Sequence, residues 1–166
     1  MDCSCDRCQN LCRTKPGWFT PEQIAPLARK LGLSIEALFR RYLTIDAVLL
    51  GTREKRTAIY VLAPAMIGKS QGAISDPRAK GQCVWFQDGK CGIHVLKPRE
   101  CAIMDHATAP AAGDMARAAI ARQWQPQKKF VQDLYGGKLK APEVLKAEYR
   151  NARRRQAEAA REQGDR

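Results

Sequence analysis

The feature that most restricts this chain is the distribution of its cysteines. Seven cysteines occur in 166 residues, in two groups that are far apart in the sequence. A disulfide framework normally has an even number of cysteines in a secreted product with a signal peptide. Here the number is odd and residues 1–19 lack the apolar run of a signal peptide, so the sequence favours reduced thiols that bind a metal or act in redox chemistry. The groups are Cys3, Cys5, Cys8, Cys12 and Cys83, Cys91, Cys101.

The first group contains the spacing Cys5-Asp6-Arg7-Cys8, in which two thiolates from one tight turn can hold a single metal. The same spacing occurs in thioredoxin-like redox pairs, but there it follows a strand in a βαβ unit, whereas here it opens the chain. Because no helical or strand period is visible, we expect residues 1–19 to be an irregular loop around a metal.

The second group lies on a predicted β-hairpin. Residues 83–87 and 90–95 flank Asp88-Gly89, the strongest short hairpin signal. Cys83 and Cys91 stand on these predicted strands, and a turn at residues 97–100 brings in Cys101. The alternative is that these cysteines are inert and buried, which fits poorly with the polar hairpin. A zinc ribbon is excluded because it requires a second CxxC.

The two groups together resemble the zinc- or iron-chelating CxxCxxCC family, also called YkgJ-like cysteine-cluster proteins. That family has an N-terminal CxxCxxCC, a short helical stretch and a later segment of the form C-x-F/W-L-x-x-G-x-C-x-I-Y-x-x-R-P-x-x-C-R. The matching residues are Cys5, Cys8 and Cys12 in the first part and Cys83, Trp85, Gly89, Cys91, Ile93, Pro98 and Cys101 in the second. The resemblance covers residues 3–106 and implies that both cysteine groups serve one centre.

The chain departs from the family pattern at three positions. Leu11 stands where the first member of the Cys-Cys pair is expected, His94 replaces the tyrosine, and Ala102 replaces the arginine. One ligand is therefore missing from the pattern. Cys3, which lies outside it, could supply that ligand, or the site uses fewer thiolates.

Thiolates select zinc or iron–sulfur centres over calcium and magnesium, because sulfur is a soft ligand. Zinc and a four-iron cluster both need four ligands, so the number of cysteines does not distinguish them. His106, beside Asp105, is a further candidate ligand whose other ring nitrogen would bond a carboxylate. An ordinary hydrogen bond or exposure is the alternative for His106 and for His94. The candidate metal ligands are Cys3, Cys5, Cys8, Cys12, Cys83, Cys91, Cys101 and His106.

The rest of the chain predicts an α-rich α+β fold, a small irregular cysteine-cluster domain with a β-hairpin and packed helices. Residues 20–23 have the composition of a helix capping box, and Gly32 is placed to end that helix. A second helix is expected from Ser34, a strand at residues 58–62 ended by Pro64, and a loop at 68–82. The apolar face of the second helix consists of Leu38, Phe39, Tyr42 and Leu43.

The composition becomes alanine-rich and basic after Pro110, with helices expected at about 114–124, 126–135 and 143–163. We therefore divide the chain into a cysteine-cluster metal-binding domain, residues 1–109, and a basic helical extension, residues 110–166, packed on it or trailing from it.

The chain has 29 Lys and Arg against 17 Asp and Glu, a net charge of +12 that would attract nucleic acid or an acidic protein. Residues 143–163 are the expected docking segment because arginine pairs with phosphate and carboxylate; a solvated amphipathic helix is the alternative. The longest mostly apolar run, residues 58–68, contains Pro64 and is too short to span a bilayer. We expect no membrane partner and a cytoplasmic location.

Three functions are compatible with these patterns. The main hypothesis is metal binding, with a structural or redox role. A second, implied by a branch of the family that resembles flagellin lysine methylases and is linked to an iron–sulfur centre, is a catalytic or accessory component of a protein-modifying system. The sequence itself has no Gly-rich cofactor loop, nucleophile elbow or acid–base pair that supports an enzyme. The third is an adaptor for nucleic acid or an acidic protein.

Overall fold

The computed structural model of this protein describes residues 6–14, 16–52, 54–68, 71–75, 81–103, 110–141, 143–144, 147–148, 150–151 and 154. Its helices and strands confirm an α-rich α+β fold. The helices are α1 (Asp6–Thr14), α2 (Pro21–Lys30), α3 (Ile35–Tyr42), α4 (Arg99–Ile103), α5 (Pro110–Trp124) and α6 (Lys128–Tyr135), and the strands are β1 (Leu43–Gly51), β2 (Arg56–Pro64), β3 (Phe86–Gln87) and β4 (Lys90–Cys91). Short 3₁₀ helices occur at His94–Leu96 and Gln125–Gln127.

Helix α2 begins and ends where its capping residues predicted, and α3 begins after Ser34 as predicted. The Thr20 N–H donates to Gln23 Oε1 at 3.0 Å, which is one half of a capping box. Gly32 follows α2 with φ of 65°, the left-handed conformation that glycine adopts without strain. The Ser34 hydroxyl oxygen accepts from the Ala37 N–H at 3.1 Å and caps α3.

Strands β1 and β2 form an antiparallel ribbon through the core. Strand β2 contains the predicted strand at residues 58–62 and extends it at both ends, but β1 has no counterpart among the predicted elements. Leu43, which the helical period placed on the second helix, is instead the first residue of β1 and pairs with Pro64. A short apolar run fits a helix or a strand, and pairing with β2 decides between them.

The structure corrects the prediction that residues 1–19 form a loop, because Asp6–Thr14 are the helix α1. Asp6 in its first turn and Arg13 in its last turn carry the charges that the helix dipole favours. The Arg13 guanidinium also donates to Gln9 Oε1, one turn earlier, at 3.4 Å. Few apolar residues occur in this segment, so the helical period is weak in the sequence.

The hairpin is present, with shorter strands than predicted. Asp88 and Gly89 have φ of 47° and 75°, the positive values of a type I′ turn. Cys83 lies before β3 and forms an isolated bridge with Met66. The predicted second strand ends at Cys91, and a 3₁₀ helix follows at His94–Leu96.

Helices α5 and α6 pack on β2 and contribute to the same core as the N-terminal elements. Trp124 Nε1 donates to the Phe19 carbonyl at 2.7 Å, and the Tyr60 hydroxyl donates to the Lys140 carbonyl at 2.9 Å. Helix α5 starts earlier than predicted. Of the predicted helix 143–163, the described positions 143–144, 147–148, 150–151 and 154 are helical. The buried residues that this region adds are Ile120, Ala121, Trp124, Val131, Leu134 and Leu139.

One further property bears on the expected partners. Within the ranges that the structure describes, no helix combines the length and the apolar character needed to cross a membrane.

Trp124→Phe tests how much the packing of α5 on the core contributes to the free energy of unfolding. The substitution removes the donor to the Phe19 carbonyl and puts a smaller ring in a fully buried position. We expect the free energy of unfolding, measured with urea, to fall by about 1–3 kcal/mol. Met115→Ala, at an exposed position of the same helix, should change it by less than about 0.5 kcal/mol. Equal stabilities of the two variants would contradict this expectation.

Candidate metal centre

Cysteines from both groups meet where α1, the hairpin and α4 come together. The Cys83 N–H donates to the Cys12 carbonyl at 2.9 Å, which joins the two segments directly. The thiols lie close enough for their charges to interact, Cys83 with Cys12 and Cys91, and Cys101 with Cys12 and Cys83. All four residues carry thiols rather than disulfides. Tertiary structure therefore gathers sulfurs that are distant in the sequence.

The Cys83 thiol is buried and is contacted by backbone donors. The pKa of Cys83 is raised to about 12, mainly by burial and in smaller part by the charges of Cys12 and Cys91, while the N–H groups of Trp85 and Phe86 act in the opposite direction. N–H groups directed at a sulfur stabilise its thiolate form. The loop that leads into β3 therefore provides donors that a thiolate ligand needs.

Cys101, in helix α4, has an environment similar to that of Cys83. Cys101 is partly exposed, and desolvation of its thiol raises the pKa of Cys101 to about 12. The Gly17 N–H, 3.3 Å from Sγ, lowers this pKa, while the charges of Cys12, Glu100 and Cys83 raise it. Cys83 and Cys101 thus both accept hydrogen bonds from the backbone.

Close packing at Cys101 requires glycine at position 17. A Cβ atom there would lie 2.8 Å from Glu100 Cβ and 2.9 Å from both the backbone nitrogen and Sγ of Cys101. Sequence reasoning missed both Gly17 and Glu100 as parts of the site. A glycine after a proline and a glutamate in a predicted turn are common, and neither has a local signature of a role near a thiol.

Aromatic side chains surround the hairpin beside the thiols. Trp85 stacks on Tyr42 with a centroid distance of 5.5 Å and an interplanar angle of 13°, and it meets Phe19 edge to face at 6.0 Å. The Arg13 guanidinium lies 5.4 Å from the Phe86 ring centroid. These contacts hold the hairpin against α1 and α3.

The structure describes only some of the predicted ligands. Cys3, Cys5 and His106 lie outside the described residues, and Cys8 is described only by its backbone position in α1, one turn before Cys12. The described Cys, His, Asp and Glu side chains include no group of three or more that is arranged to hold a metal ion. The Nε2 atom of His94 is buried and has no hydrogen-bond partner among the described residues.

Burial makes Cys83 and Cys101 poorly suited to nucleophilic or redox chemistry as free thiols. The thiolate is the reactive form of cysteine, and burial keeps Cys83 and Cys101 protonated at neutral pH. A metal cation replaces those protons and compensates the buried negative charge. The donors gathered here are sulfurs, which suit zinc and iron better than calcium or magnesium.

Comparisons of the chain with models of known families, with curated proteins and with solved structures find no match. The resemblance to YkgJ-like proteins stays a prediction that rests on the cysteine spacing and the hairpin residues. The placement of the thiols is the basis for proposing a function.

Gly17→Ala should damage the site because the added methyl group would overlap Glu100 and Cys101. The nearby atoms are backbone, Cβ and a buried sulfur, which cannot move aside as the end of a flexible side chain would. We expect the melting temperature to fall, with a loss of about 1–3 kcal/mol in stability. Gly137→Ala is the matched control, since its Cβ would meet only Tyr135 at an ordinary 3.9 Å. If both variants melt at the same temperature, the close approach at Gly17 is not required.

The stability of the reduced, metal-free protein should fall as pH rises above the ordinary thiol pKa. Thiols of the unfolded chain lose their protons near their ordinary pKa of 9.0, whereas burial raises the pKa of Cys83 and of Cys101 in the fold to about 12. The stabilisation from the neutral buried thiols is therefore complete below about pH 9 and is lost as pH rises towards 12. Melting temperatures between about pH 8 and pH 10.5, in reductant and chelator, measure this loss.

Other groups also titrate in this range, so the test is the difference between two proteins. Cys83→Ala removes one buried thiol and should have a shallower decline of melting temperature than the native chain. Parallel curves for the two proteins would show that the Cys83 thiol has no raised pKa.

Proposed function

We propose that this protein binds a thiolate-ligated metal centre, either zinc or an iron–sulfur cluster, in a structural or redox role. The observation that carries the proposal is the proximity of the Cys83 thiol to Cys12 and Cys91, and of the Cys101 thiol to Cys12, although these residues come from separate parts of the sequence. Buried cysteines that only fill a core need no neighbouring sulfurs and no backbone donors.

The surroundings of the thiols support a metal with a high affinity for sulfur. Backbone N–H groups at Cys83 and Cys101 offset the charge of thiolate ligands, and such hydrogen bonds tune iron–sulfur centres. Four thiolates around one Zn²⁺ carry two net negative charges, which suits a chain with a net charge of +12.

The residues that would hold the centre are Cys12, Cys83, Cys91 and Cys101, which together make the four ligands that zinc or a four-iron cluster needs. Bound metal would supply a cross-link among α1, the hairpin and α4, and an iron–sulfur cluster would also supply an electron-transfer group. The chain itself positions the sulfurs through α1, the type I′ turn and the packing of Gly17 on α4.

Purification without oxygen, followed by elemental analysis and visible absorption, tests the proposal. Brown protein with iron and acid-labile sulfide identifies an iron–sulfur centre, and colourless protein with stoichiometric zinc identifies a zinc site. Protein that contains neither metal, and takes up neither after reduction, would overturn the proposal.

Cys91→Ser should cost far more bound metal and stability than Cys3→Ser. Cys91 follows the type I′ turn on β4, so the backbone places its sulfur before metal arrives. Cys3 lies outside the family pattern, so the resemblance assigns it no ligand role. We expect Cys91→Ser to lower metal affinity by more than the roughly 10–100-fold that loss of a hydrogen-bond partner of a ligand costs.

Bound metal and melting temperature of the two purified variants give the comparison. Equal losses would show that Cys3 is a full ligand that takes the place of the cysteine missing at Leu11.

A further inference from the structure

A buried polar network connects the candidate centre with α5. Glu100, which directly precedes Cys101, is only 7% exposed. One of its carboxylate oxygens accepts from the Trp18 N–H at 2.8 Å, and the other lies 3.1 Å from Nη1 of Arg117. The Glu100 N–H in turn donates to the Trp18 carbonyl at 3.2 Å. Glu100 and Trp18 are thus bonded in both directions, and Arg117 compensates the buried charge.

Arg117 also contacts the Trp18 ring directly and is linked to it through Asp46. Its guanidinium lies 3.7 Å from the Trp18 ring centroid, in a cation–π stack. It lies 3.7 Å from Asp46 Oδ2, the oxygen that accepts from Trp18 Nε1 at 2.8 Å. A planar guanidinium can pair with carboxylates through its edge while its face covers a ring, which a lysine ammonium cannot do.

These contacts lead directly to a sulfur of the candidate centre. Gly17 precedes Trp18, and its N–H donates to Cys101 Sγ at 3.3 Å. The position of that N–H depends on Trp18, whose backbone is held by Glu100 and whose ring is held by Asp46 and Arg117. Both carboxylates that hold Trp18 are therefore paired with the same arginine of α5.

We propose that Arg117 is a positioning residue for Cys101. It holds Glu100 and Trp18 in place, so that the Gly17 N–H remains on the Cys101 sulfur and Gly17 remains packed against the thiol. Helix α5 is in this way coupled to the candidate metal centre. Only the last step, that this sulfur binds metal, rests on the proposed function, because protection of the thiol can be measured without metal.

The test is the alkylation rate of individual cysteines in the full chain, reduced and kept metal-free with chelator. Iodoacetamide is added at fixed pH, and mass spectrometry of peptides reports modification of Cys101 and Cys83 separately. In Arg117→Ala we expect the rate at Cys101 to rise about tenfold relative to that at Cys83, the effect expected from losing a hydrogen bond to a charged group. Arg122→Ala, an exposed arginine on the same helix, should leave the ratio unchanged.

The comparison with Cys83 separates local positioning from general loss of stability. Global unfolding exposes both thiols, so equal acceleration at the two cysteines would overturn the proposal, as would an unchanged rate at Cys101. Arg117→Lys keeps a positive charge near Glu100 and should recover part of the protection. If Arg117→Ala does not fold, the ratio of the alkylation rates at Cys101 and Cys83 is measured in Arg117→Lys and Glu100→Gln instead.

A double variant tests whether Arg117 acts through Glu100. Glu100→Gln keeps an acceptor for the Trp18 N–H but removes the ion pair. In Arg117→Ala combined with Glu100→Gln, the rate at Cys101 should be no higher than in Arg117→Ala alone. Effects that multiply would show that the two residues act independently, and the proposed coupling would be wrong.

Zinc provides a second, separate readout. In protein loaded with zinc, Arg117→Ala should release the metal to a chelator faster than the native chain and Arg122→Ala do, and equal release rates would contradict the coupling. A chain that takes up no zinc and no iron would refute the proposed metal centre, and the alkylation ratio would still decide the role of Arg117.

Discussion

The fold depends on a buried, irregular segment, residues 17–20, whose hydrogen bonds go to four different elements. Gly17 and Trp18 bond to α4, Phe19 accepts from Trp124 of α5 and donates to Leu62 of β2, and Thr20 bonds to the start of α2. A buried backbone group without a partner costs free energy comparable to a lost hydrogen bond. These four elements must therefore be in place together, and the candidate centre lies at one end of this segment.

Helix α4, which carries Cys101, is likewise held in place by hydrogen bonds to another element. Gln23, in the first turn of α2, donates through Nε2 to the Lys97 carbonyl at 3.1 Å and accepts through Oε1 from the Arg99 N–H at 2.9 Å. One side chain thus joins the starts of α2 and α4. A short helix such as α4 has little stability of its own, so tertiary contacts must hold the cysteine it carries.

Burial of the thiols explains how folding and metal binding are linked in the proposed function. A thiolate in an apolar site without a cation is unfavourable, so Cys83 and Cys101 hold their protons in the absence of metal. The backbone N–H groups at these sulfurs reduce that cost without removing it.

Local signals in the sequence predicted the parts of the structure that local interactions form. The caps at Thr20 and Ser34, the strand before Pro64 and the turn at Asp88-Gly89 each depend on a few neighbouring residues, and the structure contains all of them. The cysteine pattern likewise indicated which thiols to consider. By contrast, α1 has a weak apolar period, and β1 is a strand only because β2 pairs with it.

Only the tertiary structure decided what surrounds the thiols. The bond from Gly17 to Cys101, the pairing of Glu100 with Arg117, and the stacking of Arg117 on Trp18 join residues that are distant in the sequence. Glycine, glutamate and arginine are common, and no spacing rule connects them across such distances. Their role arises because the buried segment at residues 17–20 can satisfy its backbone only when α4 and α5 are packed against it.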